Sequence, residues 1–255
     1  MPLSNGRKRT FRQNVTLAVL LASVAGAVNA AGFFILGVHT SHMTGHTAAM
    51  GEALATGELG AVKFGASAVL AFMAGAATSA ALFEVTAGLK RARHAPALAI
   101  EASVLGAAAV YAFHHPHEGR TTGLAVALSF AMGLQNALVT QISGAVVRTT
   151  HLTGVVTDLG IEIVAVVRAI GSRIHAGASM MESLRHFWVG REFERVGLHL
   201  ALFAAFLTGG TIGPLLLLHS DPLALAAPGV VLVGLILFDL GIGPEEVKAH
   251  DVGPA

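Results

Sequence analysis

Apolar residues dominate six stretches of the chain, at 15–37, 61–89, 96–113, 122–147, 196–219 and 222–241, each close to the roughly 20 residues that a helix needs to cross a bilayer. Two shorter apolar stretches, 46–60 and 154–167, follow the first and the fourth. They carry acids, Glu52 and Glu58 in one and Asp158 and Glu162 in the other. The pattern predicts an all-α polytopic membrane protein with six transmembrane helices and with short broken or re-entrant helices after helices 1 and 4.

The polar interruptions in this pattern match each other. Gly26-Ala27-Val28-Asn29-Ala30 leads through Gly37 to His42-Met43-Thr44-Gly45. Gly133-Leu134-Gln135-Asn136-Ala137 leads through Gly144 to His151-Leu152-Thr153-Gly154, with a slip of two residues. Met50-Gly51 is answered by Leu159-Gly160, Phe72 and Gly75 by Phe206 and Gly209, and Pro96 to Ala99 by Pro222 to Leu225. Such a match implies duplication, with homologous halves of three helices each at 13–116 and 120–241. A basic segment, 1–12, precedes them, and a short tail at 242–255, with Pro244, Glu245, Glu246 and Pro254, reads as disordered.

Composition settles the solvent. Hydrophobic residues make up 54% of the chain and charged residues 12%, which places it in a membrane, with the lipid bilayer as its first partner. A net charge of +1 gives no support for nucleic-acid binding, and the absence of cysteine removes disulfides and thiolate metal sites. Arg7, Lys8, Arg9 and Arg12 before an apolar run ending in Val28-Asn29-Ala30 resemble a signal peptide. The same Asn-Ala pair recurs at Asn136-Ala137 in mid-chain, so the first stretch is read as a retained span. Basic residues flanking short loops stay on the cytoplasmic side. Six alternating spans put Lys90, Arg91 and Arg93, and the arginines at 168, 173, 185, 191 and 195, inside together with both termini; only Lys63 and Arg120 break the rule. Eight spans would export the first of these groups. Three spans per half make the halves enter from opposite faces, the inverted-repeat arrangement of many secondary transporters. The expected location is the inner membrane of a bacterium.

Candidate chemistry concentrates at the ends of helices 1 and 4. There a helix is exhausted near Gly37 or Gly144 and a new one begins, with Thr44 and Thr153 as expected N-caps. The start of a half-helix favours an anion or a substrate carboxylate where its backbone lines a water-filled cavity. Candidate substrate-binding residues are therefore Asn29, His42, Thr44, Gly45, Asn136, Arg148, Thr149, His151, Thr153 and Gly154. For either copy alone an interfacial turn is the simpler reading, and both asparagines serve equally well as interhelical hydrogen-bonding groups. Asp158 and Glu162, four apart, share one helix face, with Arg148 and Arg168 as expected partners; Asp158 and His151 are the candidates for proton coupling.

His39, His42 and His46 have the spacing of imidazoles on one helical face, a weak metal pattern beside which Met43 adds a soft ligand. Only His42 has a counterpart in the other half, and no metal is assigned. No cofactor or catalytic motif is found, so the chain is not read as an enzyme. Residues 171–195, with Met180, Met181, Leu184, Phe187 and Trp188 on one stripe, suit an amphipathic helix on the inner leaflet. Small pairs, Gly75 with Ser79 and Gly209 with Gly213, suit close helix packing within a chain or between the copies of a homo-oligomer.

The motifs Asn29-Ala30, His42 to Gly45, Phe130 to Ala137 and Arg148 to Gly154 resemble the YoaK-like family of bacterial six-helix inner-membrane proteins. The resemblance implies a permease whose substrate is unassigned, and it transfers no functional residue. The expected function is a small-solute transporter or permease with its site between the halves. The alternative is a membrane sensor, scaffold or assembly factor that uses the repeated motif structurally.

Overall fold

The computed structural model describes residues 11–88, 93–115, 122–142 and 150–241. Among the described residues the chain is all-helical: α1 (Phe11–Leu36), α2 (Met43–Thr56), α3 (Leu59–Val85), α4 (Ala95–His114), α5 (Thr122–Ile142), α6 (Leu152–His175), α7 (Met180–Val189), α8 (Arg191–His219) and α9 (Ala227–Gly241), with single 3-10 turns at Thr86–Gly88 and Pro222–Ala226. Alanine and leucine recur in every long apolar helix, and both carry high intrinsic helix propensity.

Five helices are long and apolar enough to span a bilayer, at Val15–Leu36, Leu59–Gly88, Ala95–His114, Thr122–Ile142 and Phe193–His219. The sixth expected span is divided. Asp221 caps the 3-10 turn by accepting from the Leu223 amide, and α9 then has 15 residues, about 22 Å of helix. Pro222 and Pro228 account for the division, because neither has an N–H to give to a continuous helix.

Glycine sets the main crossings. A Cβ on Gly26 would stand 2.0 Å from the Phe206 carbonyl oxygen, and one on Gly209 would stand 1.9 Å from that of Ser23. The crossing of α3 with α5 repeats this geometry, with Gly75 at 2.0 Å from the Phe130 oxygen and Gly133 at 2.0 Å from that of Phe72. The backbones therefore touch with no side chain between them, as small residues allow in membranes. Ser23 lies at Gly209 and Ala27 at Gly213, so α1 and α8 run in the same direction, and the matching contacts give α3 and α5 the same parallel sense.

The direction of α1 relative to α5 is opposite. Gln135 Nε2 donates to the Leu21 carbonyl at 2.5 Å, while Leu128 lies beside Gly32, so rising numbers on one helix meet falling numbers on the other. Thus α1 and α8 point one way and α3 and α5 the other. It follows that α2, between α1 and α3, returns to the end of the bundle at which α1 finished, and that α4, between α3 and α5, runs its full length. The core where these helices meet is built from fully buried side chains, among them Leu21, Leu105, Leu128, Met132, Leu134 and Leu232.

Candidate functional site

The polar segment after α1 folds back into the bundle. Gly37 has φ 71°, a left-handed conformation that glycine adopts without strain, and its amide donates to the Phe33 carbonyl. From there the chain retraces α1: the Thr40 methyl occupies the space a Gly32 Cβ would fill, and Ser41 reaches Asn29. Asn29 lies seven residues before Leu36, so the return is about 10 Å deep at 1.5 Å per residue. The Asn29 carboxamide anchors it. Oδ1 accepts from the Ser41 amide at 3.0 Å and from the Ser41 hydroxyl at 2.9 Å, and Nδ2 donates to His39 Nδ1 at 3.2 Å.

The segment before α6 is anchored in the same way. Asn136 Oδ1 accepts from the Thr150 amide at 3.3 Å, and its Nδ2 bonds the Thr150 hydroxyl. In both places a histidine follows the hydroxyl residue and opens the next helix, His42 at φ −89°, ψ 68° and His151 at φ −86°, ψ 53°. Each ring lies over the glycine three residues on, where a Cβ on Gly45 would be 2.1 Å from His42 Cδ2 and one on Gly154 would be 2.2 Å from His151 Cδ2. A side chain at either position would displace the ring. Since α1 and α5 are antiparallel, the two segments sit at opposite ends of the bundle.

These positions change several expectations. The N-caps are His42 and His151, without a side-chain cap bond, in place of Thr44 and Thr153, both of which are exposed. The backbone enters each helix two residues earlier because the Asn-held hydroxyl residue fixes the chain just ahead of it. His39, His42 and His46 do not share a helical face, since α2 starts at Met43. His46 Nε2 donates to the His39 carbonyl at 3.0 Å and its ring leans on Phe64, whereas His39 stacks on Phe33 and lies edge-on to His42, with ring centroids 6.5 Å apart. Among the described residues no three His, Asp or Glu side chains group as a metal site. Arg148 and Thr149 lie outside the described residues, as do residues 1–10 and the tail from 242.

Asp158 is exposed on α6, while Glu162, half-buried, pairs with His199 Nδ1 of α8 at 3.0 Å in place of the expected arginine. The helix that carries them is longer than the apolar stretch 154–167 suggested, 24 residues against 14 in α2. The stretch 171–195 is broken by Gly177, at φ 91°, and by Gly190 into the end of α6, α7 and the start of α8. Ser179 caps α7 by accepting from the Glu182 amide.

His46, outside the membrane-spanning helices, is buried, and burial is the main reason its pKa falls below the ordinary histidine value. The bond to the His39 carbonyl acts the other way, and His42 and His39 add to the fall.

Sequence reasoning passed over three participants. Ser41 and Thr150 were visible as hydroxyl residues preceding both motif histidines, but the chain reversal that brings them to Asn29 and Asn136 was not. Glu101 on α4 is 0% exposed, and neither carboxylate oxygen has a protein partner. Its signal was a single acid within an otherwise uncharged apolar stretch.

No curated protein and no solved structure matches this chain. A family model described as "Protein of unknown function (DUF1275)" matches residues 17–238, nearly the whole helical bundle with both anchored segments, and the chain belongs to that family.

Proposed function

We propose that this protein is a small-solute transporter of the bacterial inner membrane, built as an inverted repeat of three helices and three helices, with a substrate path bounded by the two Asn-anchored re-entrant segments. The observation that carries the reading is the recurrence of one hydrogen-bonded device, Asn29 with Ser41 and Asn136 with Thr150, at opposite ends of one bundle. At 14 residues α2 is about 21 Å long, short of a hydrocarbon core of about 30 Å, so it enters and leaves on one face. Its first turn starts near the depth of Asn29, with amides that no side chain caps, and such a half-helix start favours an acceptor or anionic group of a solute. The resemblance to YoaK-like proteins and the distribution of Lys and Arg, which puts both termini in the cytoplasm, agree with this reading.

One observation favours the alternative of a membrane scaffold or sensor: Met180, Met181 and Trp188 are exposed on α7, a surface fit for a docking partner or the inner leaflet.

The chain has no cysteine, so single cysteines at Thr44 and Thr153 report cleanly with a membrane-impermeant thiol reagent. The transporter reading expects Thr44→Cys to label from the periplasmic face and Thr153→Cys from the cytoplasmic face. Labelling of both from one face, or protection of both from either, overturns it and leaves the scaffold.

A further inference from the structure

Glu101 is the most deeply buried ionisable side chain among the described residues, and the protein offers it nothing. Neither oxygen has a hydrogen-bond partner. The elements packed around α4 are mainly α5, the turn Pro222–Ala226 and α9, and none of them contains Lys, Arg or His. A carboxylate there lacks a counter-charge, and a carboxylic acid there lacks an acceptor for its proton. Ionisable groups inside membrane helices are costly and are kept where they do something.

The register of the helices adds a second oxygen. α4 runs antiparallel to α5, Glu101 lies 13 residues before the end of α4 at His114 (114 − 101), and Gln135 lies 13 residues after the start of α5 at Thr122 (135 − 122). Both are therefore about 20 Å from the end that joins the two helices, at one level of the bundle. Gln135 is also 0% exposed; its Nε2 is used by the Leu21 carbonyl, and its Oε1 has no partner. The amide is thus oriented by α1 so that an acceptor is left over. Asn136, the anchor of the second re-entrant segment, is the next residue.

We infer that Glu101 and Gln135 form an intramembrane binding site for a monovalent metal cation between α4 and α5, beside the anchor of the second re-entrant segment. The unpartnered atoms are all oxygens, the ligands that hard cations take. One carboxylate neutralises one positive charge, whereas a divalent ion would leave net charge in a low-dielectric interior, where charge is expensive. Counted from Pro96 and Pro222, the matching position to Glu101 in the other half is Ala227, and the match to Gln135 is Val28, so the site is single. Its role as the coupling-ion site rests on the transporter reading; the binding itself does not.

The test reads binding without any flux. The detergent-purified full chain is treated with a hydrophobic carbodiimide in NaCl, KCl or choline chloride at fixed pH and ionic strength, and the adduct at Glu101 is quantified by peptide mass spectrometry. The site predicts that Na+ or K+ slows modification of Glu101 at least fivefold relative to choline, and that the same ion raises the melting temperature. Gln135→Leu keeps the modification and loses most of the protection, and Glu101→Gln loses the ion-dependent melting shift. Equal modification in all three salts overturns the site, as does a rate that answers only to pH, which would mark a proton site. No modification in any salt together with one melting temperature overturns it as well. Because the wild-type arms need no substitution, a misfolded variant does not leave the question open. Failure here with opposite-face labelling at Thr44 and Thr153 removes the ion and keeps the transporter.

Discussion

Replacing Asn29 by alanine removes three hydrogen bonds at once: two accepted by Oδ1 from Ser41, at 3.0 and 2.9 Å, and one given by Nδ2 to His39 at 3.2 Å. A net contribution of about 1 kcal/mol per bond, and the similar value for interhelical polar contacts in membranes, put the loss at about 2–3 kcal/mol for docking of the returning segment. At 1.36 kcal/mol per decade, that raises the undocked fraction roughly 30- to 150-fold. The readout is a cysteine at Thr40, which is 1% exposed with its methyl against Gly32. Modification of Thr40→Cys by a small thiol reagent, limited by opening of the segment, accelerates by that factor in the Asn29→Ala background. Asn29→Asp, which keeps the acceptor and loses the donor to His39, gives an intermediate rate. Asn136→Ala, at the opposite end of the bundle, leaves the Thr40 rate within threefold. A rate in Asn29→Ala within threefold of the parent would refute the anchor, because segment 37–42 would then be held by packing alone.

The glycine crossings predict that Gly75→Ala and Gly133→Ala each destabilise the bundle by about 1–3 kcal/mol through overpacking, seen as a lower melting temperature in detergent, since their Cβ atoms would meet backbone at 2.0 Å. Gly51→Ala, where a Cβ meets nothing within 4 Å, is the control and leaves stability level or raises it by up to about 1 kcal/mol. Equal losses at all three sites would show that helix contact is not their cause. His46 predicts a pH dependence. Its pKa in the fold lies below the ordinary 6.5, so as pH falls below that value the unfolded chain takes up a proton first, and the stability from neutral His46, complete above that pH, is progressively lost. His46→Gln keeps a donor for the His39 carbonyl and removes this component. Melting curves between about pH 5 and 7.5 whose slope is unchanged by His46→Gln would count against a neutral buried His46.

The amino-acid sequence was enough for the solvent, the helical class and the place of the polar breaks, because these follow from local quantities. The length of an apolar run measures a span, a glycine with polar neighbours ends one, and the pairing of Asn29 with Asn136 and of His42 with His151 is visible in the letters. Glycines 75 and 209 were legible as packing sites for the same reason. Their partners were not: Gly75 meets Phe130 and Gly209 meets Ser23, each across the chain, and no local pattern encodes that.

The tertiary structure decided what the polar residues do. Ser41 and Thr150 became hydrogen-bond partners only because the chain doubles back, and Thr44 and Thr153 lost the cap to the histidines before them by two residues of backbone path. His46 bonds the His39 carbonyl across the start of α2, and Glu162 found His199, which is 37 residues away. Glu101 shows the division most plainly. Its letter, an acid in an apolar run, was in the sequence, but burial on all sides without a partner depends on which helices surround it. That arrangement follows from glycine contacts between segments far apart in the chain, so it is a property of the folded bundle and not of any one stretch of chain.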